Sequence, residues 1–203
     1  IIFILFVVPI QTILSFWMAT WIYKSKNSRI SKFVRWVLFI PSLVSTSVIG
    51  IVCRILLNNP DSPINSITKL FNRPINNFLG SESSAMTTII VISILIKMGY
   101  YALIFYSNML DIPESYFEIA KIDGITNLQI FKGILVPLMR PIIILVIFLS
   151  FIDSFQQFNL VYTLTGGGPG IAGTMTIMVY LYMYGFKYAK VGYSMAIGNI
   201  MIL

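Results

Sequence analysis

The stretch TTIIVISILIKMGYYALIFY, residues 87–106, contains a single charged side chain, Lys97. A transmembrane helix needs about 20 mostly apolar residues, because each residue adds roughly 1.5 Å along the helix axis. This stretch has the required length and almost no charge. It therefore predicts a helix that crosses a lipid bilayer.

The composition of the whole chain indicates the same environment. Hydrophobic residues make up 57% of the 203 residues, charged residues make up 10%, and the mean hydropathy is +0.86. A soluble domain normally carries about a quarter charged residues, so this chain has too few charges to cover a water-facing surface. We therefore expect an all-α protein, a polytopic bundle of transmembrane helices.

Further apolar segments of similar length predict about five spans. They cover residues 1–23, 33–57, 85–109 and 138–160, and a fifth begins near residue 190 or 191. Pro41 lies inside the second segment, where neighbouring helices can satisfy the carbonyl group that it leaves free. Because both ends of the chain fall inside apolar runs, we expect residues 1–203 to be a fragment of a longer transmembrane domain.

Residues 171–186 are apolar but too few for a comfortable span. The segment carries Tyr180, Tyr182, Tyr184 and Phe186, and aromatic side chains concentrate where a membrane meets water. We favour a helix that lies at the membrane interface over a full span.

Basic residues predict which connections face the cytoplasm, where short loops collect Lys and Arg. The first connection has Lys24, Lys26, Arg29, Lys32 and Arg35, and the third has Lys121, Lys132 and Arg140 in it or beside it. The second has only Lys69 and Arg73, and the fourth has Lys187 and Lys190. The first and third connections are therefore predicted to be cytoplasmic. Membrane orientation explains the net charge of +7 better than nucleic-acid binding does.

Residue types that the chain lacks exclude several kinds of site. There is no His, which excludes a Ser-His-Asp triad and a His-ligated metal site. Cys53 is the only cysteine, so the chain cannot form an internal disulfide. We expect no catalytic residue, no metal and no cofactor in this chain.

Residues 110–137, LDIPESYFEIAKIDGITNLQIFKGILVP, lie in the third connection. Pro113 can stop the preceding helix and start a new one. Glu114 or Ser115 can cap the new helix, and a glutamate follows Ser115 at the capping-box spacing. Gly124 then permits the chain to reverse. We predict a short helix across the cytoplasmic face, ending at a glycine with positive φ.

The spacing of residues in this stretch resembles the EAA loop found in permeases of binding-protein-dependent ABC importers. That loop has the pattern E-A-A, three residues, G, nine residues, I-x-L-P. The matching positions here are Glu118, Ala120, Gly124, Ile134 and Pro137. Ile119 and Val136 replace an alanine and a leucine of the pattern, so both departures exchange one apolar residue for another.

Two further stretches, FNLVYTLTGGGP at residues 158–169 and VGYSMAI at 191–197, are similar to the carbohydrate branch of this family. The branch includes permeases for maltose, oligosaccharides and glycerol-3-phosphate. The resemblance implies a multi-pass protein of the bacterial plasma (inner) membrane. It would pass a sugar or related polyol from an external solute-binding protein to the cytoplasm by alternating access.

The same resemblance implies that residues 110–137 are a cytoplasmic coupling loop. Separate ATPase subunits would dock on its motif, and a second permease subunit would complete the pore. An amphipathic connector without a partner is the alternative. The Gly-rich segment GGGPG at residues 166–170 lacks the Lys-Ser or Lys-Thr of an ATP-binding phosphate loop. We therefore expect that this chain is not an enzyme and that another chain hydrolyses ATP.

A run of polar residues lies in and after the fourth predicted span. It comprises Ser150, Asp153, Gln156, Gln157 and Asn159. The first four recur at helical spacing on one face, and Asn159 lies on a neighbouring face. A polar stripe in a membrane helix faces protein or water rather than lipid. The run can line the path of the sugar or join helices through hydrogen bonds, and the sequence leaves both possibilities open.

Three other functions remain as alternatives. The chain could serve an ABC importer of a non-sugar solute, or a secondary transporter driven by an ion through Lys97 and Asp153. Dependence on ATP and on a binding protein would distinguish an ABC importer from an ion-driven transporter. An intramembrane enzyme is the weakest alternative, because an aspartyl protease would need two intramembrane Asp residues and a zinc protease would need His.

Overall fold

The computed structural model describes residues 2–25, 28–58, 78–80, 82–166 and 174–202. These residues form helices and no β-strand, as the composition predicts. The α-helices are α1 (Ile2–Lys24), α2 (Arg29–Leu43), α3 (Thr46–Asn58), α4 (Glu82–Leu110), α5 (Ser115–Ile122), α6 (Asn127–Ile130), α7 (Val136–Phe155), α8 (Asn159–Thr165), α9 (Ile177–Tyr182) and α10 (Val191–Ile202). Two π-helical turns, π1 (Phe131–Leu135) and π2 (Met183–Lys187), follow α6 and α9.

Three of the described helices are long and apolar enough to cross a membrane. They are Ile2–Lys24, Ser84–Leu110 and Asn127–Phe155, with mean hydropathies of 2.1, 2.0 and 2.5. They correspond to the first, third and fourth spans predicted from the sequence. The number rises to four if α2 and α3 together count as one broken span.

The predicted limits of the fourth span, residues 138–160, are wrong at both ends. The helix begins at Asn127, because α6 and π1 run directly into α7, and it stops at Phe155. Pro137 lies just after π1, where it has no N–H to donate to the preceding turn. In the turn before the proline, the Val136 N–H donates to the Phe131 carbonyl, five residues back. This π-helical turn is wider than an α-helical turn and lets the helix continue through the proline.

The predicted second span, residues 33–57, is not one continuous helix. The chain leaves helical structure at Val44 and Ser45, between the end of α2 at Leu43 and the start of α3 at Thr46. Pro41 removes one backbone hydrogen bond from the last turn of α2. The weakened turn ends the helix two residues after the proline.

The two remaining apolar segments have fewer described residues than a span needs. The helical segment made by α9 and π2 covers residues 177–187, which agrees with a helix too short to cross the bilayer. Its place at the membrane interface stays a prediction. The helix α10 begins at Val191, as expected for the fifth span, and the structure describes 12 of its residues.

The described residues group into two compact units. One, here called the loop unit, consists of residues 8–43 and 95–151 and contains α5. Its core is formed by α1, α4 and α7, where Phe16 meets Phe105 edge to face with ring centres 5.1 Å apart. Gly99 lets α4 approach α2, because a Cβ atom there would collide with the carbonyl oxygen of Leu38.

The other unit, here called the terminal unit, consists of residues 1–7, 44–94 and 152–203. Helix α3 packs on α8, and a Cβ atom at Gly50 would collide with the hydroxyl of Thr163. Helix α10 packs on α9 and π2, where the Ser194 hydroxyl donates to the Leu181 carbonyl at 2.9 Å. The unit is therefore held by close approaches at small residues, as is common between membrane helices.

Candidate functional site

The start of α5 shows which residue caps the helix. The carbonyl of Glu114 accepts hydrogen bonds from the N–H groups of Phe117 and Glu118, at 2.9 and 3.1 Å. Glu114 is therefore at the N-cap position, and Ser115 is the first helical residue. Of the two caps that the sequence allowed, the structure selects Glu114. Its carboxylate and that of Glu118 both lie in or next to the first turn, where the helix dipole favours negative charge.

The end of α5 is a left-handed turn at Gly124, as the sequence predicts. Gly124 has φ of +69°, a conformation that side chains with a Cβ atom adopt only at a cost. The N–H of Ile125 reaches back to the carbonyl of Ala120 at 3.0 Å. This bond is the long-range closure of a Schellman motif, so the motif glycine stops the helix and sets the direction of the chain after it.

The two sides of α5 differ in what they contact. Ala120 is buried, and the ring of Phe117 packs against Tyr23 of α1 with centres 5.9 Å apart. On the other side Tyr116, Ile119 and Ile122 are exposed by 51%, 59% and 84%. Helix α5 therefore packs on the rest of the loop unit through one side. Its other side is apolar and has no packing partner among the described residues.

The segment after α5 is held by a cap that the sequence analysis did not identify. The Thr126 N–H and hydroxyl both donate to the side-chain oxygen of Gln129, at 2.9 and 2.7 Å. The signal was present, since a Thr followed three residues later by a Gln is a capping-box pattern. It starts the long helix at Asn127 and so accounts for the early beginning of the fourth span.

The motif residues are divided between two elements. Glu118 and Ala120 lie on α5, and Gly124 follows it, whereas Ile134 is half-buried in π1 and Pro137 is exposed at the start of α7. The first three therefore shape the short helix, and the last two shape the widened turn of the long one.

A cavity of about 370 Å³ lies between these elements in the loop unit. Its polar wall includes Lys24 at the end of α1, Glu114 and Glu118 at the start of α5, and Asn127 of α6. Its apolar wall includes Phe117. Because of this cavity, α5 contacts the rest of the loop unit through its buried side chains and not along its whole length.

The predicted polar stripe does not lie on one continuous helix. Helix α7 ends at Phe155, so Gln156 and Gln157 fall in the break before α8, and Asn159 begins α8. The prediction that the first four residues of the run share one helical face is therefore wrong for Gln156 and Gln157. The reason is local, since the chain stops following helical spacing where the helix ends.

The five residues also differ in their surroundings. Ser150 is buried, Asp153 and Gln157 are half-buried, and Gln156 and Asn159 are exposed. The side-chain amide of Gln157 donates to the Ser93 hydroxyl at 3.5 Å, and the backbone carbonyl of Gln157 accepts a hydrogen bond from the Thr176 hydroxyl at 2.6 Å. Gln157 thus joins three elements of the terminal unit. Among the described residues, no group of three or more acids and Cys could hold a metal ion.

Comparisons with known proteins bear on the family and the fold. The sequence profile of the family described as binding-protein-dependent transport system inner membrane component matches residues 11–203. The arabinooligosaccharides transport system permease protein AraP of Bacillus subtilis (strain 168) is 31% identical over 182 residues, covering 87% of this chain and 58% of that protein. The trehalose/maltose transport system permease protein MalF of Thermococcus litoralis is 28% identical over 164 residues, covering 81% and 56%.

A solved structure shares the fold. A bacterial ABC transporter involved in the import of the acidic polysaccharide alginate superimposes with a TM-score of 0.86 at 19% identity, over 98% of this chain and 71% of that chain. The chain spans about 58% of the length of AraP, so the likeness to the curated relatives concerns a part of each. The match over residues 11–203 shows that the chain belongs to the family of inner membrane components of binding-protein-dependent transport systems.

Proposed function

We propose that this chain is part of the permease subunit of an ATP-driven importer for a sugar or related polyol. An external solute-binding protein delivers the solute, and a second permease subunit completes the pore. Separate ATPase subunits drive the change between outward-open and inward-open states. The sugar class is supported by the similarity to permeases named for arabinooligosaccharides and for trehalose and maltose.

The observation that carries the proposal is the exposed apolar side of α5. Tyr116, Ile119 and Ile122 project from a helix whose opposite side is packed on the loop unit. An exposed apolar patch next to charged residues is typical of a surface that binds another protein. We propose that an ATPase subunit covers this side, so that closure of the ATPases on ATP pushes α5 and the spans that it contacts.

Each motif residue has a role in this proposal. Glu118 and Ala120 place the helix, since the first favours its N-terminal turn and the second lets it lie close to the loop unit. Gly124 ends it in a fixed direction. Ile134 and Pro137 lie at the widened turn of the long helix, through which movement of α5 would pass to the membrane.

The polar residues divide between the two roles that the sequence left open. We propose that Asp153, Gln156 and Asn159 contact the solute, because these side chains are half-buried or exposed and because carboxylates and amides bind sugar hydroxyls. Gln157 bonds to Ser93 and so joins helices through a hydrogen bond. Ser150 is buried, but its hydroxyl has no hydrogen-bond partner among the described residues, so it contributes by packing alone.

The direct test is uptake by the whole transporter. The complete protein is reconstituted in liposomes with its ATPase subunits and binding protein, and uptake of labelled arabinooligosaccharides and maltose is measured. We expect uptake that requires both ATP and the binding protein. Uptake driven by an ion gradient without ATP would show a secondary transporter, and ATP-dependent uptake of only a non-sugar solute would overturn the sugar class.

A further inference from the structure

A second cavity in the loop unit, of about 430 Å³, takes no part in the proposed transport cycle. It is lined by Lys32, Arg35, Trp36 and Phe39 of α2 and by Leu103 of α4. None of the described residues that line it is acidic. The cavity therefore combines two positive charges with three large apolar side chains, which suits a ligand that is anionic at one end and apolar at the other.

Arg35 is held in place by contacts that leave part of its guanidinium group available. Its Nη1 donates to the Tyr106 hydroxyl at 2.9 Å, and its Nε donates to the Ser31 carbonyl at 3.3 Å. Its Cζ lies 4.8 Å from the centre of the Tyr106 ring. A guanidinium group has five N–H donors, so donors remain after these two bonds. A donor fork fixed in this way is suited to phosphate oxygens.

The order of residues along α2 matches the order of groups in a phospholipid. Lys32, Trp36 and Phe39 follow one another by about one helical turn each, so the cavity passes from charged to apolar along the helix. Trp36 is 71% exposed, and Trp is enriched at the level of lipid headgroups. The Lys and Arg residues before and within α2 predict that this end of the helix lies at the cytoplasmic surface, where the leaflet carries anionic lipids.

We propose that this cavity binds an anionic phospholipid of the cytoplasmic leaflet. The lipid phosphate lies between Lys32 and Arg35, and an acyl chain lies along Phe39 and Leu103. The ligand is a lipid rather than free phosphate, because three of the five described residues that line the cavity are large and apolar. A phosphate ion would use only the two cations and leave the apolar wall without a partner. Basic pockets between membrane helices on this side of a bilayer bind such headgroups.

The test uses the whole transporter, purified in a neutral detergent. Short-chain phosphatidylglycerol, phosphatidylcholine with the same chains and inorganic phosphate are added separately, and the thermal unfolding temperature and the lipids retained in native mass spectrometry are measured. We expect phosphatidylglycerol alone to raise the unfolding temperature and to be retained. An equal effect of phosphatidylcholine would overturn the recognition of charge, and an equal effect of inorganic phosphate would overturn the lipid in favour of a free anion.

A matched pair of variants locates the site. Lys32 and Arg29 are both exposed on α2, but only Lys32 lines the cavity. We expect Lys32→Gln to weaken phosphatidylglycerol binding about fivefold, as loss of one cation near an anionic lipid does, and Arg29→Gln to weaken it by less than about twofold. Equal losses in the two variants, or no loss in Lys32→Gln, would overturn the proposal. Arg35→Gln is a less decisive change, because it also removes the bond to Tyr106.

Discussion

The backbone N–H of Ile125 donates a hydrogen bond to the carbonyl of Ala120 at 3.0 Å, across a glycine with φ of +69°. This bond closes α5 and directs the chain toward the long helix that begins at Asn127. The geometry depends on Gly124, yet apart from Gly124 and its two chain neighbours no heavy atom of the described residues lies within 4 Å of the place where its Cβ would be. The cost of a side chain here is therefore conformational rather than steric.

Replacement of Gly124 by Leu should lower transport while the protein still inserts. A left-handed conformation costs an L-residue roughly 1–2 kcal/mol, so the variant should shift α5 or populate another turn. ATP-dependent uptake and the amount of protein in the membrane are the measurements. Gly133→Ala is the control, because its Cβ would also meet no described atom within 4 Å beyond its neighbours and its own helix backbone, and its φ is not positive. Full uptake with normal ATPase association in Gly124→Leu would contradict the role of the turn.

Replacement of Ile122 by Asp should weaken binding of the ATPase subunits. Ile122 is 84% exposed, so the change should leave folding unaffected, but it would bury an unpaired charge in the proposed interface. We expect at least about tenfold less ATPase to be retained in pull-down at equal permease levels. Ile30→Asp is the matched control, since Ile30 is also exposed and lies on α2. Equal retention in both variants would show that α5 is not the docking surface.

Replacement of Gly99 by Ala should destabilise the loop unit. The added methyl group would meet the Leu38 backbone carbonyl, which cannot move aside as the end of a flexible side chain can. The expected loss is about 1–3 kcal/mol of unfolding free energy, seen as a lower thermal unfolding temperature in detergent. Gly192→Ala should be neutral or stabilising, because no other part of the described structure lies within 4 Å of its Cβ position outside its neighbours and its own helix backbone, and Ala favours a helix over Gly. Similar unfolding temperatures for Gly99→Ala and the unchanged protein would refute the close contact.

Cysteine labelling should establish the predicted topology. In a background with Cys53→Ser, a cysteine at Ser28 should react only with a reagent supplied from the cytoplasm, because the basic residues around it favour that side. A cysteine at Ser62, which lies outside the described residues, should react only from outside. The reverse labelling pattern would place α5 on the outer side and remove the basis for ATPase docking.

Kinetics should separate the two proposed groups of polar residues. Asp153→Asn should lower the rate of sugar uptake at saturating loaded binding protein, since an amide accepts hydroxyl hydrogen bonds less strongly than a carboxylate. Gln157→Leu should lower the unfolding temperature with little change in that rate per folded transporter, because its side chain bonds to Ser93. An unchanged rate in Asp153→Asn would remove that residue from the solute path.

Local features of the sequence predicted much of the structure of residues 110–137. The left-handed turn at Gly124 followed from the position of a glycine after a short helical segment, since a helix end depends on hydrogen bonds among neighbouring residues. The sequence also limited the N-cap residue of α5 to Glu114 or Ser115, because the start of a helix likewise depends on hydrogen bonds among neighbouring residues. The capping box at Thr126 and Gln129 could also have been found, and its omission led to the wrong start of the fourth span.

The sequence by itself determined that the chain is an all-α membrane protein, because the length of an apolar run and its lack of charge are sufficient for a helix to enter lipid. Only the tertiary structure decided which residues meet. The contacts of Gly99 with Leu38 and of Arg35 with Tyr106 join separate helices, and the break before Thr46 divides one apolar run into two helices. Such contacts depend on how each helix is rotated about its axis, which an almost uniformly apolar run does not encode in its periodicity.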